Sequence, residues 1–354
     1  MFKSFLFATF LLALLLIAQA REDDKNIGLY QLKRGNMQLN FTNYGATIIS
    51  VILPDRHGNL ADVTLGYDFI QQYQNDTCYF GALIGRVANR IGHAQFTLDG
   101  KTYQLPANDH GNTLHGGTTG FSDVVWTVES HREDSHITFT YDSCDREEGF
   151  PGQLKVSVTY MLIGTNKLAV KMIANPVDKA TPVNLAQHSY WNLRGHNSGD
   201  ILSHKVQIFG SHITPVDDKL IPTGEIQSVK GTPYDFLEPK EVGSQINDLP
   251  GLYDMNYVLD KGSSEHFRKV AIIKDDVSGR KLELWSNQPG VQFYTSGMLK
   301  DTKGKDGAIY HKHAGIAMET QGFPDAVNRP NFPSQIVRPG ETYKHFMVYR
   351  FTAE

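Results

Sequence analysis

The sequence predicts an all-β protein, a large antiparallel β-sandwich, on three observations. Apolar residues alternate with a period of two along short segments, and Gly, Asn and Pro residues interrupt these segments at turns. A helical period of 3.6 residues does not persist for three turns anywhere in the chain. Because the chain has 354 residues, so many short strands must stack or curl to bury their apolar faces.

Hairpin signatures locate the strands. In the clearest one, apolar alternation in residues 154–162 and 168–172 flanks the turn Gly164-Thr165-Asn166. Two further hairpins turn at Asp99-Gly100 and at Val277-Ser278-Gly279. The remaining strand-like alternation is in residues 124–128, 137–141 and 343–351.

The amino terminus has the pattern of an export signal. Lys3 precedes an apolar run from Phe5 to Ile17, and Ala18-Gln19-Ala20 provides the small residues of a cleavage site. The run is shorter than the roughly 20 residues that span a bilayer, so we expect a cleaved signal peptide over residues 1–20 and not an anchor. The mature chain would start near Arg21 and be secreted, with glycan acceptors at Asn40 and Asn75.

The composition of the rest of the chain limits the classes of partner that we expect. Residues 21–354 contain no linker, low-complexity tract or fixed-period repeat, which predicts a single domain. A formal charge of -4 does not favour nucleic acid or acidic lipid as partners, so we expect a small neutral substrate. We also expect a monomer, with no membrane association after the signal peptide is cleaved. Cys78 and Cys144 are too few for a disulfide framework; one bridge and two free thiols remain alternatives.

Two glycine-rich segments carry polar side chains that could bind hydroxyl groups. In residues 85–92, Asn89 and Arg90 lie between small residues, although the residues alone favour a turn former at Asn89 and a surface charge at Arg90. His115 precedes Gly116-Gly117, where the absence of a Cβ would let a ligand approach the backbone. The alternative is that His115 is a hydrogen-bonded structural histidine.

Three strand-like segments contain further candidates. Residues 183–193, which include His188 and Tyr190, are dense in hydrogen-bonding groups that a hydroxylated ligand would satisfy. Asp254 is an ordinary turn acid or an acceptor for adjacent hydroxyls, and the residues alone favour the turn. Glu319 ends a small apolar strand, where burial would raise its pKa and keep a base away from bulk water.

Taken together, these segments resemble the aldose 1-epimerase (galactose mutarotase) family almost from end to end. The motifs that carry the resemblance are residues 42–48, 65–68, 89–91, 114–117, 188–193, 319–321, 324–328 and 331–334. The resemblance implies a β-supersandwich with the sugar in an open cleft, and no cofactor or metal. Trp191, where many members have Phe, and the export signal are departures that do not affect the implied chemistry.

The family resemblance also assigns roles to residues. It implies that His188 is the general acid, Glu319 the general base, and His115 a second imidazole on the ring oxygen. The implied sugar ligands are Asn89, Arg90, Tyr190, Asp254 and Gln292. Gln292 is identified by the resemblance alone. For catalysis we expect Glu319 to be ionised and His188 to be protonated in the productive form.

The implied activity is interconversion of the α and β anomers of free aldohexoses by acid-base ring opening and closure. A glycoside hydrolase or lyase is the nearest alternative, but it requires a second essential acid, for which Asp254 is the candidate. A non-catalytic sugar-binding module would keep the pocket without the reaction. A metal site built from His110, His115, His311 and His313 is disfavoured, because their spacing matches no common zinc pattern.

Overall fold

The computed structural model describes residues 27–249, 252–261 and 267–354. The predicted signal peptide and Arg21 lie outside these ranges. Short strands make up most of the described secondary structure. In chain order the strands are β1 (Leu29–Arg34), β2 (Met37–Thr42), β3 (Thr47–Pro54), β4 (Leu60–Asp62), β5 (Leu83–Ile84), β6 (Arg90–Ile91), β7 (Gln95–Leu98), β8 (Lys101–Gln104), β9 (Thr113–Leu114), β10 (Thr127–Arg132), β11 (His136–Ser143), β12 (Leu154–Ile163), β13 (Lys167–Pro176), β14 (Thr181–Pro182), β15 (Ala186–Gln187), β16 (Tyr190–Trp191), β17 (Lys205–Ile208), β18 (His212–Ile213), β19 (Gln227–Ser228), β20 (Lys240–Glu241), β21 (Asp254–Val258), β22 (Arg268–Lys274), β23 (Arg280–Ser286), β24 (Gly290–Tyr294), β25 (Thr302–Lys303), β26 (Ile309–Tyr310), β27 (Ile316–Gln321), β28 (Ile336–Val337) and β29 (Tyr343–Ala353).

The helical elements are short. Helix α1 covers Ile70–Tyr73. Single 3-10 segments occur at Gly92–Ala94, Phe121–Asp123, Glu147–Gly149, Val242–Asp248, Lys305–Gly307 and Ala326–Asn328. No helix within the described ranges is long and apolar enough to cross a membrane.

Three antiparallel sheets form the framework. The largest has nine strands in the order β10-β11-β12-β13-β29-β23-β22-β17-β20, the second has six in the order β16-β27-β24-β21-β18-β19, and the third is β1-β2-β3-β4. The three hairpins predicted from the sequence are confirmed as β7-β8, β12-β13 and β22-β23. The strand predicted at residues 124–128 begins only at Thr127, because a 3-10 turn precedes it and the Trp126 indole bonds back to the Phe121 carbonyl.

A single large apolar core lies where the sheets face one another, as the predicted sandwich requires. Trp191 of the six-stranded sheet packs on Tyr349 of the nine-stranded sheet at 5.1 Å between ring centroids. From the four-stranded sheet, Phe41 approaches Tyr160 of the nine-stranded sheet at 5.0 Å. The buried cluster that includes these rings extends from Leu32 to Phe351. The all-β sandwich is therefore confirmed.

The six-stranded sheet has one apolar face and one polar face, and this feature positions the functional site. On β27, Ile316 and Met318 join the large core, whereas Glu319 points the opposite way. On β24, the core residues Val291 and Phe293 flank Gln292. Strands β16 and β21 follow the same alternation, which brings Tyr190 and Asp254 to the polar face.

The two cysteines are free thiols. Cys144 is exposed and Cys78 is partly buried, and neither forms a disulfide. Burial raises the pKa of the Cys78 thiol to about 11, so this side chain is not a reactive thiolate at neutral pH. Of the two alternatives left by the sequence, the structure therefore has two free thiols.

Candidate active site

A cleft of about 250 Å³ opens on the polar face of the six-stranded sheet. It is lined by all eight residues that the sequence implied: Asn89, Arg90, His115, His188, Tyr190, Asp254, Gln292 and Glu319. Strands β16, β21, β24 and β27 supply four of them through register pairs such as Gln292 with Glu319. Loops beside β6, β9 and β15 supply the histidines and Asn89. The interpretation of Asp254 as a turn residue was wrong, because it is the first residue of β21.

His188 and Glu319 form the centre of the cleft. The Nε2 atom of His188 lies 3.5 Å from Oε1 of Glu319, and the side chains are 5% and 3% exposed. The backbone of His188 is held by two hydrogen bonds, from its N–H to Ala82 and from the Gly81 N–H to its carbonyl. His188 Nδ1 and Glu319 Oε2 are buried without a protein partner. The pair therefore has hydrogen-bonding capacity left for a ligand.

Burial shifts both groups of this pair towards their neutral forms. It raises the pKa of Glu319 well above the usual value, with the Asp254 charge adding to the rise and Arg90 opposing it. It lowers the pKa of His188 to about 4. Both shifts favour the neutral forms of Glu319 and His188, whereas the productive form is predicted to have an ionised Glu319 and a protonated His188. The low dielectric around the buried pair explains this preference.

His115 lies beside this pair, with its ring centroid 5.3 Å from that of His188. The backbone N–H of Asn89 donates to Nδ1 of His115 at 3.2 Å, so the ring proton must be on Nε2. Burial also lowers the pKa of His115 well below its usual value. His115 is thus a neutral imidazole that offers an N–H donor.

This tautomer also bears on metal binding. Within the described parts of the chain, His115, His188 and Glu319 form the one group of three potential metal ligands, with donor atoms within 4.8 Å of one another. An Nε2 that carries a proton is a hydrogen-bond donor and not a metal ligand. Of the four histidines weighed from the sequence as a metal site, only His115 belongs to this group; His110 instead contacts Asp109, and His311 contacts Asp301.

The backbone conformation and the neighbouring groups explain why glycines follow His115. Gly116 adopts φ +91, and a Cβ there would lie 2.0 Å from the carbonyl oxygen of Gly85. Gly117 has φ +120 and abuts the Glu148 carboxylate. The prediction that these glycines admit a ligand to the backbone was wrong, because neighbouring protein groups occupy that space.

Arg90 is clamped at one side of the cleft by two carboxylates. Its Nε lies 2.7 Å from Asp109, and its NH1 group lies 3.8 Å from Oδ2 of Asp254. Arg90 is only 7% exposed, which excludes the surface-charge interpretation. Asp109 lies in an irregular segment and gave no signal in the sequence. Because Asp109 holds one edge of the guanidinium, the other edge faces Asp254 and the cleft.

A chain of amides continues from Asp254 across the sheet. Gln292 Nε2 donates to Asp254 Oδ1 at 2.6 Å, and Gln321 Nε2 donates to Gln292 Oε1 at 3.2 Å. Gln321 also donates to Asn256 Oδ1 at 3.3 Å. Gln321 therefore fixes which end of the Gln292 amide faces Asp254. It was missed as a functional residue, although it shares the parity of Glu319 two residues earlier.

Aromatic rings line the remaining wall. Tyr190 lies 5.0 Å from the His188 ring, and its hydroxyl donates to the carbonyl of Cys78 at 3.0 Å. Tyr79, which the sequence reading missed, packs edge-on against His115 at 4.6 Å. Aromatic faces of this kind pack against the apolar faces of ring-shaped ligands while the polar groups fix orientation.

The chain is similar to known proteins over most of its length. The family model described as aldose 1-epimerase matches residues 28–350. The galactose mutarotase of Mus musculus is 43% identical over 326 residues, which are 91% of this chain and 93% of the mouse protein. The galactose mutarotase of Homo sapiens is 44% identical with the same coverage. A solved aldose epimerase homologue from C. elegans has a TM-score of 0.87 at 30% identity, covering 92% of this chain and 99% of that one. The chain belongs to the aldose 1-epimerase family.

Proposed function

We propose that the protein is an aldose 1-epimerase, an isomerase that interconverts the α and β anomers of free aldohexoses such as glucose and galactose. The observation that carries the proposal is the buried His188–Glu319 pair, 3.5 Å apart in a cleft rich in hydrogen-bonding groups. Such a pair can remove one proton and deliver another at adjacent atoms of one substrate. Ring opening of an aldose requires both transfers.

The reaction balances with these two groups. Glu319 takes the proton of the anomeric hydroxyl while His188 delivers a proton to the ring oxygen, so the ring C–O bond breaks and an aldehyde forms. Rotation about C1–C2 presents the other carbonyl face, and the reverse transfers close the ring. One positioned acid or base contributes about 10²- to 10⁴-fold, so two groups with orientation are sufficient for this reaction.

The directions of the Glu319 and His188 pKa shifts match one stage of this cycle. Once the ring has opened, Glu319 carries the proton and His188 is neutral, which is the state that burial favours. A ring-closed sugar must instead draw the proton to His188. Hydrogen bonds from its hydroxyls to the Glu319 carboxylate favour that transfer. The rate should rise and then fall with increasing pH, which gives a bell-shaped pH-rate profile. Because the two groups share one proton, the two apparent pKa values of this profile belong to the pair and not to either residue.

The other cleft residues would hold the sugar. His115 offers its Nε2–H to the ring oxygen region, and the Asn89 amide nitrogen is available because its Oδ1 already accepts from the Arg90 N–H. Arg90 and Asp254 would bind hydroxyls distant from the anomeric carbon, with Gln292 orienting Asp254. Tyr190 would contribute its ring and the lone pairs of a hydroxyl that already donates to Cys78.

The alternatives receive no support from this arrangement. A glycoside hydrolase would need Asp254 as a second acid, but its Oδ1 accepts a hydrogen bond from Gln292 and its Oδ2 lies 3.8 Å from Arg90. A binding module has no use for a buried, unpaired carboxylate oxygen next to an imidazole.

Export, glycosylation and oligomeric state belong to the same proposal. Cleavage near Arg21 would release a single-domain monomer, and every proposed site residue comes from one chain, so a second copy is not needed. Asn75 is exposed, whereas Asn40 is half-buried in β2 and donates to Ser50 at 2.7 Å. If the chain passes through the secretory pathway, Asn75 is the better glycan acceptor.

Polarimetry of freshly dissolved α-D-glucose or α-D-galactose tests the activity. The purified protein should speed the approach to anomeric equilibrium, before and after treatment with chelator. Glu319→Gln and His188→Gln should each lower kcat by about 10² to 10⁴, with a smaller change in KM. Absence of acceleration with either sugar or a pentose would refute the proposed function, and near-normal kcat in Glu319→Gln would refute the assignment of the base.

A further inference from the structure

A third histidine lies directly behind the catalytic pair, on the core side of the six-stranded sheet. His345 belongs to β29 of the nine-stranded sheet and is 0% exposed. Its Nε2 lies 2.7 Å from the hydroxyl of Thr320. Its Nδ1 lies 3.1 Å from the carbonyl oxygen of Leu185 and 3.4 Å from the Tyr343 hydroxyl, which itself accepts the Leu185 N–H. It does not line the cleft, so it contacts no substrate.

The hydrogen bonds of His345 have a fixed direction. The Leu185 carbonyl can only accept, so the ring proton is on Nδ1. Nε2 must then accept the hydroxyl proton of Thr320. Burial lowers the pKa of His345 to about 3, which keeps the ring neutral at any working pH. The neutral imidazole therefore links two segments of the chain through hydrogen bonds at both of its nitrogens.

The two connected segments are those that carry the catalytic groups. Thr320 directly follows Glu319, and Leu185 precedes His188 by three residues. The backbone ladder between β16 and β27 pairs only Tyr190 with Ala317 and Trp191 with Ile316. It ends before it reaches Glu319 or His188. His345 spans the segments just beyond the end of that ladder.

We propose that His345 is a positioning residue that sets the separation of His188 and Glu319. This inference rests on the proposed function, because its effect is read through the proton transfers of that pair. A displacement of about 1 Å in a reacting group can cost about 10²-fold in rate. Removing the connector should therefore lower kcat while the sugar ligands on β21 and β24 keep KM nearly unchanged.

The test replaces the imidazole with a ring that cannot form hydrogen bonds. His345→Phe should lower kcat by about 10- to 100-fold with KM within about twofold, measured by polarimetry at a temperature where circular dichroism shows the variant folded. It should also narrow the pH-rate bell, because a longer distance weakens the coupling of the pair. His345→Gln keeps one donor and one acceptor and should recover part of the loss.

A matched control separates positioning from general destabilisation. His204 is also fully buried, accepts a hydrogen bond from the Leu193 N–H at 3.0 Å, and has its pKa lowered to about 4 by burial. Its ring bonds to Leu193, five residues after His188, and not to Leu185 or Thr320. His204→Phe should reduce stability but leave kcat and the pH profile unchanged.

Thr320→Val tests the same connection from its other end. The isosteric loss of the hydroxyl should lower kcat, and the double variant with His345→Phe should be no worse than His345→Phe alone. The inference is overturned if His345→Phe matches His204→Phe in kcat, if the loss appears only in KM, or if the two substitutions act additively. If His345→Phe does not fold, Thr320→Val and His345→Gln carry the same comparison. A wild-type protein without epimerase activity would instead refute the proposed function.

Discussion

Glu319→Gln should stabilise the fold, and the stabilisation should grow as the pH rises. Burial holds the pKa of Glu319 in the folded cleft well above the value that a glutamate has in an unfolded chain. Above about pH 5 the unfolded chain has released this proton while the folded protein retains it. A carboxyl whose pKa is raised on folding therefore costs stability with increasing pH, and the neutral glutamine has no such penalty.

The size of the effect follows from the proton count. One proton bound by the folded state and not by the unfolded state gives a slope of about 1.4 kcal/mol per pH unit in the free energy of unfolding. The difference between Glu319→Gln and wild type should increase at that slope from about pH 5 until the pH reaches the pKa of folded Glu319.

Urea unfolding followed by tryptophan fluorescence, repeated at three pH values between about 5.5 and 7.5, measures this difference. Glu283→Gln is the matched control. Burial raises the pKa of Glu283, but contacts with Lys269 and Arg350 outweigh burial and lower it. Its variant should therefore show no gain in stability as the pH rises. A constant difference between Glu319→Gln and wild type would mean that Glu319 is ionised in the fold, and the reasoning would fail.

Three further outcomes are expected. Gln321→Leu should raise KM for galactose by about tenfold with a smaller change in kcat, because two neighbouring amides lose the donor that orients them; an unchanged KM would remove Gln321 from the sugar site. Asp109→Asn should also raise KM by loosening the guanidinium it holds, and initial rates at varied sugar concentration measure both effects. If the chain is exported, Asn75→Gln should abolish any glycan-dependent gel shift, whereas Asn40→Gln should not; the opposite pattern would contradict the burial argument.

The local part of the fold could be predicted from the sequence, but its long-range pairing could not. Alternation and turn residues identify hairpins such as β12-β13, because both signals depend on neighbouring residues. The pairing of β13 with β29 joins Leu168 to Tyr349. Nothing local specifies that register, which depends on how the complete apolar faces fit together.

The site was predictable where a residue type conflicted with its surroundings. A glutamate is rarely buried in a small apolar strand unless it is paired or functional, and this conflict identified Glu319. Gln292 is an amide in an ordinary strand and was identified only by the family resemblance. Asp109 could not be found, because its importance lies in its contact with Arg90, which is 19 residues earlier in the chain. The protonation of His188 also required the structure, since burial and not residue type determines it.

The alternation of the six-stranded sheet separates the requirements for folding from those for substrate recognition. Met318 and Phe293 serve the interior, while their chain neighbours Glu319 and Gln292 face the cleft. Substitutions on the cleft face can therefore change which sugar is accepted without opening a cavity in the core. Neighbouring residues in β24 and β27 should thus tolerate very different replacements, because one faces the core and the next faces the cleft. This protein is accordingly a good scaffold for evolving epimerases towards new aldoses, with libraries confined to every second residue of these strands.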